Sequence, residues 1–228
     1  MASILISACP HDPSTKAGYH YLKIAAGILA RHKHKVVLLR SAVLSKFHKA
    51  LHDYDPDLVI LNGHGGSKGV TGCGDNIILG VPSWDRDLGL KITRGNPEWM
   101  KGRIVYLFTC NAGKELAYQL LRNGAVAVAA YQEAFIFLCE EEDGLNREGH
   151  SFFDAALKLP FMLAGGFTFG EGCQAVRETF IEYRSEAEKR GDKMKAKYLH
   201  HDLVNFISLG NRHATLQGLS IYEVNAIR

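Results

Sequence analysis

The sequence predicts an α/β fold with a mostly parallel sheet and helices on both faces, and three features predict it. Short apolar runs rich in β-branched residues alternate with amphipathic stretches of helical period, the arrangement that β-α-β units require. Each run is too short to cross a membrane, which takes about 20 apolar residues. Two of them, LVILNGHGG at 58–66 and IVYLFTCNAG at 104–113, break abruptly into small and polar residues carrying one reactive side chain, His64 and Cys110. Parallel strands laid side by side would bring both side chains to the same carboxyl edge, where ligands bind in open sheets.

Taken in order, residues 2–8 (ASILISA) form the first expected strand, ended by Cys9-Pro10 and a polar loop. A helix follows over 16–32, with Leu22, Ala25, Ala26 and Leu29 at helical spacing. Residues 35–40 (KVVLLR) make the second strand, a helix covers 43–52, and Asp55-Pro56 stops it. LVILNG is the third strand, and right-handed crossovers make the three parallel. From 65 to 102 the chain turns rich in Gly, Pro, Asp and Asn, with a short strand at 76–79. A loop this long inside a compact domain is usually functional or disordered, and one that starts at His64 and ends before Cys110 reads as a wall of a binding cleft. After IVYLFT comes a helix at 114–123, with Leu116, Leu120 and Leu121 on one face and Gly124 at its C′ position. Strands are expected at 125–131 and 134–138. Residues 140–143 (EEED) read as a solvated acidic loop. A helix at 151–159 leads to a long helix from Glu171, whose apolar stripe is Cys173, Val176, Phe180, Tyr183 and Ala187. Gly191-Asp192 interrupts it, a helix follows at 193–204, and NFISLGN closes the fold. The expectation is one domain over 1–228, mainly helical from 150 apart from that closing strand.

With 228 residues, 46% hydrophobic and 22% charged, the chain has the composition of a soluble globular protein with a full core. A formal charge of +3 is too small for a nucleic-acid stripe. The N-terminus lacks the layout of a signal peptide, and a cytoplasmic protein without membrane association is expected. Five scattered cysteines, with no C-x-x-C pair, fit reduced thiols.

A cysteine becomes nucleophilic as a thiolate, favoured by a neighbouring positive group or a helix N-terminus. Cys110 at a strand-to-helix turn would have the amides of the helix near Lys114 for this purpose. His64 would be the general acid/base, and the amides of Gly65 and Cys110 the oxyanion donors. Singly, a cysteine at a strand end is usually a small buried hydrophobe, and a glycine-flanked histidine a turn residue. Together, at two strand ends each followed by small residues, they fit a Cys/His pair.

LVILNGHG and IVYLFTC resemble the signature of the caspase-like cysteine peptidases of clan CD, which include caspases, legumains, separases, gingipains and CHAT domains. TCNAGKELAYQLLRNGAVAVAAY is most similar to the gingipain and CHAT branch, as are FGEGCQAV and NFISLGNRHATL, although the turn Gly210-Asn211-Arg212 departs from that branch's Gly-Asp-Pro-like turn. The resemblance implies a three-layer α/β/α caspase-like fold and an endopeptidase cleaving after a selected P1 residue, without a cofactor. It also implies a peptide or protein substrate, a regulatory protein partner, and a maturation role for the EEED loop. A basic P1 residue would call for a pocket acid, and the candidates are Asp12, Asp75, Asp85 and Glu133. Asp12 or His11, just after the first strand, would flank His64 and orient it as a third member. Neither His48 with His52 nor His200-His201-Asp202 has the H-E-x-x-H arrangement of a zinc enzyme, and no D-x-D-x-D-G calcium loop occurs. A glutamine-amidotransferase-like hydrolase would place its histidine after the cysteine, the reverse of the order here. The alternative is a non-catalytic or partner-gated caspase-like module.

Overall fold

The computed structural model describes residues 1–74, 76–93, 95–138 and 147–216. In chain order the first elements are β1 (Ser3–Ala8), α1 (Pro13–Arg31), β2 (Lys35–Leu39), α2 (Leu44–Tyr54) and β3 (Leu58–Asn62). The segment that follows holds two small hairpins, β4 (Gly69–Thr71) with β5 (Ile77–Gly80) and β6 (Ser83–Asp85) with β7 (Leu90–Ile92). Then come β8 (Ile104–Leu107), α3 (Leu116–Arg122), β9 (Ala127–Tyr131), α4 (Arg147–Ala164), α5 (Phe169–Lys189), α6 (Lys193–Asn205) and β10 (Phe206–Gly210). Six strands form one sheet in the order β10-β9-β8-β3-β1-β2, parallel except for β10, which runs antiparallel to β9. β3 and β8 are neighbours, with Leu61 opposite Leu107, so the two strand-end breaks lie side by side.

Side chains alternate between the two faces of a strand, and that parity sorts the core. Ile4, Ile6, Ile60, Tyr106 and Tyr131 pack with residues of α1, α4 and α5 on one face. Leu5, Val59, Leu61, Val105 and Leu107 pack with Phe47 of α2 and Leu116 and Leu120 of α3 on the other. The result is three layers, α/β/α. Among the described residues no helix is long and apolar enough to cross a membrane.

Several expectations need correcting. α1 starts at Pro13 rather than near Lys16, because Asp12 is its N-cap: its side chain accepts from the Thr15 amide, and Thr15 bonds back to the Asp12 backbone. The long segment after His64 is not simply irregular but folds on itself as two hairpins. Residues 134–138 are not a strand. Side chains of α6 take up their polar groups instead: the Ile136 amide donates to Asp202 at 3.0 Å, and His201 reaches the Ala134 carbonyl at 2.9 Å. β10 occupies the sheet edge beside β9. Cys9 and Cys73 are not free thiols; they are disulfide-bonded, with their Cα atoms 5.4 Å apart. The acidic run at 140–143, and with it Cys139, lies outside the described residues.

Candidate active site

His64 stands two residues past the end of β3 and Cys110 three residues past the end of β8. The turns that carry them are fastened together. Gly65 leaves room for nothing else: a Cβ there would run into the Cys110 carbonyl and the Thr109 side chain. The Leu116 amide at the start of α3 donates to the Ser67 carbonyl at 2.8 Å. Beyond the cysteine, Asn111 takes a positive φ of 60°. Gly113 then passes so close to the end of β9 that its amide donates to the Tyr131 carbonyl at 2.8 Å, where a side chain would meet the backbone. The chain after Cys110 is therefore a tight turn, and α3 begins only at Leu116.

That geometry changes the account of the thiol. A helix of seven residues beginning six positions after Cys110 does not act as the anion-stabilising terminus expected near Lys114. Burial dominates and pushes the Cys110 thiol above its ordinary value, opposed by a backbone hydrogen bond with Phe135. At rest the sulfur is a thiol that needs a base.

The base candidate is well held. His64 Nε2 lies 2.7 Å from Asp12 Oδ2. Asp12 Oδ1 accepts from the Ser14 hydroxyl at 2.7 Å and the Thr15 amide at 2.9 Å, so one carboxylate caps α1 with one oxygen and meets the imidazole with the other. Partial burial works against its charge, but the Ser14 and Thr15 hydrogen bonds and the neighbouring His64 hold its carboxyl well below the usual carboxylate range. With Nε2–H donated to Asp12, His64 Nδ1 is left to receive a proton.

His64 and Cys110 line one cavity of about 60 Å³. Its walls are Phe108, Phe135, Phe137 and Phe153, and Asn62 lies in its lining with a buried Oδ1 that has no hydrogen-bond partner. No Asp, Glu, Lys or Arg is among the described lining residues. The acids expected for a basic P1 residue are placed elsewhere. Asp12 serves His64 and the helix cap. Asp85 is fully buried and accepts from the amides of Lys68, Asp87 and Leu88, which makes it the brace of the turn after His64. Glu133 pairs with Lys114 at 3.2 Å beside the cysteine turn. Asp75 lies outside the described residues.

The histidines of the two clusters noted in the sequence, His48 and the His200–His201 pair, do not form a site. His48 stacks on Trp99, His200 meets Arg184, and His201 and Asp202 hold the 134–136 segment. That segment's part in the site is not legible in its residues: AFIFL reads as a strand, and nothing local marks Phe135 and Phe137 as cavity walls.

No protein-family model matches the chain, and no curated protein matches it. A solved structure does: the crystal structure of the Saccharomyces cerevisiae separase–securin complex aligns with a TM-score of 0.51 over 92% of this chain, at 11% sequence identity. The fold is caspase-like. The alignment covers only 12% of that far longer chain, so at this identity the likeness is one of fold. It extends to the six-stranded, mostly parallel sheet between helix layers.

Proposed function

We propose that the chain is a caspase-like cysteine endopeptidase in which Cys110 is the nucleophile, His64 the general acid/base and Asp12 the residue that orients His64. The observation that carries this reading is the Asp12–His64 contact of 2.7 Å beside a cavity that His64 shares with Cys110. His64 Nδ1 takes the thiol proton as the sulfur attacks the substrate carbonyl carbon, and the resulting oxyanion is met by the amides of Gly65 and Cys110. The C–N bond breaks as His64 returns the proton to the leaving amine. Water then adds to the thioester, giving its proton to His64, and the acid is released with the thiol restored. The same motifs that resemble the gingipain and CHAT branch favour that branch for this chain.

The aromatic, uncharged cavity favours a P1 side chain that is neutral and of modest size, because an ionised one would be desolvated there without a partner. The test is covalent labelling of the full chain by peptidyl electrophiles. Cys110 should be modified in the native protein, with labelling lost in Cys110→Ala and greatly slowed in His64→Ala. Modification of Cys110 only after denaturation would remove the reading.

The desolvation that raises the Cys110 thiol favours a second reading, a partner-gated module whose cysteine is activated only in a complex. The structural neighbour is itself a complex with securin. On this reading labelling appears only when a protein partner is added.

A further inference from the structure

His11 is adjacent to the proposed machinery but has no task in it. Its Nδ1 lies 3.2 Å from the Cys9 carbonyl, so Nδ1 carries the proton and Nε2 is the nitrogen that faces away from the backbone. That Nε2 lies 3.0 Å from Asp12 Oδ2, the same oxygen that meets His64 Nε2 at 2.7 Å. The two rings meet edge to face, with centroids 5.2 Å apart. An imidazole that donates from Nδ1 aims a lone pair at the carboxylate, and two acceptors at 3.0 Å repel unless a cation lies between them or a second proton is bound. Two imidazole nitrogens and a carboxylate oxygen thus converge, all within 4.8 Å of one another.

We propose that His11, Asp12 and His64 bind a zinc ion through His11 Nε2, Asp12 Oδ2 and His64 Nε2, with a fourth position open to water. The donor set is that of a borderline divalent transition metal: imidazole and carboxylate, with no soft thiolate and too few oxygens for calcium or magnesium. Ligands about 2.0 Å from a tetrahedral zinc lie roughly 3.3 Å apart, so small side-chain rotations suffice to admit the ion. The surroundings are those of a prepared site. The Cys9 carbonyl fixes the His11 tautomer, and Ser14 and Thr15 hold Asp12 Oδ1 so that Oδ2 faces the two imidazoles. The backbone is anchored on both sides, by the start of α1 and by the Cys9–Cys73 bond. All three side chains are partly exposed, which gives the ion a path.

Only the consequence for activity rests on the peptidase reading. Zinc would take His64 Nε2 and Asp12 away from each other, and its charge would oppose proton uptake at Nδ1, so the loaded form is inactive.

The experiment titrates the full chain with zinc chloride against a chromophoric chelator, and repeats it with cobalt chloride, read by visible absorption. One equivalent should bind with proton release. His11→Ala and His11→Gln should each weaken zinc by roughly 100-fold or more, beyond what loss of a supporting contact alone brings, while Cys110→Ala binds as the wild type does. Equal affinity in either folded His11 variant, or loss of binding in Cys110→Ala, would overturn the site. Zinc binding without labelling of native Cys110 would sink the peptidase reading alone, and labelling without saturable zinc binding would sink the zinc site alone.

Discussion

Replacing Asp12 with Asn separates the two tasks that its carboxylate performs. Asn caps a helix about as well as Asp, and its side-chain oxygen can still accept from Ser14 and Thr15, the contacts Asp12 makes at 2.7 and 2.9 Å. The fold should therefore lose no more than about 0.5 kcal/mol. The bond to His64 loses its charge. A hydrogen bond to a charged group contributes about 1.5–3 kcal/mol, and at about 1.36 kcal/mol per factor of ten its loss lowers kcat/KM by roughly 10- to 150-fold. The pair is partly open to solvent, with side-chain exposures of 48% for His64 and 26% for Asp12, which puts the loss near the lower end, about tenfold. Asp12→Ala removes the cap as well, and should add a destabilisation of about 1 kcal/mol to the same kinetic defect. The assay is kcat/KM on a peptide with an uncharged P1 residue, beside the thermal midpoint of each variant. Unchanged kcat/KM in a fully folded Asp12→Asn protein would refute the orienting role.

Three other outcomes are expected. Gly65→Ala should unfold or destabilise the chain by about 1–3 kcal/mol, since the new methyl meets the Cys110 carbonyl, and a thermal midpoint equal to wild type would contradict the packing. Asp202 is buried and its carboxyl is pushed well above its ordinary value by desolvation, so the folded chain keeps a proton that the unfolded chain releases. Stability is then fully present at low pH and falls as pH rises above about 3.8; Asp202→Asn, which still accepts from Ile136, should be the more stable form at pH 8 and lose that advantage toward pH 4 in urea titrations. The bond between Cys9 and Cys73 spans 64 residues, which in the chain-entropy account corresponds to about 4 kcal/mol. Cys73→Ser should unfold at markedly lower urea, and alkylation of both cysteines in the unreduced chain would disprove the pairing.

The sheet was legible because its signals are local. β3 and β8 are unbroken apolar runs of the kind that parallel strands buried on both faces require, and the change to small residues after each marks the strand end that positions His64 and Cys110. The N-terminus of α1 is equally legible: Asp12 followed by Pro13 is a cap with proline at the first helical position, whereas the apolar stripe begins only at Leu22 and points to a later start. The rest depended on distance in the chain. Residues 134–138 have the composition of a strand, but Asp202 and His201, more than 60 positions away, claim the backbone groups that a strand would pair. The disulfide joins two cysteines that no spacing rule connects, and cysteine count alone pointed to free thiols.

The site therefore divides by the origin of its parts. Adjacent parallel strands set the separation of the His64 and Cys110 turns, and any sheet of this order does so, which is why a likeness in fold survives at 11% identity. In the proposed peptidase, selectivity and restraint would come from the segments outside the sheet. Residues 9–15 present Asp12 and His11 from a tethered helix start, and residues 135–137 present two aromatic walls from a segment pinned by α6. Those segments can change while the strands stay fixed. An acid placed at Phe108 or Phe137 would alter which side chain the cavity accepts, whereas no change there supplies a missing base. On the proposed reading, substrate choice is thus separable from the Cys110/His64 pair, and the aromatic cavity is where that choice would be made.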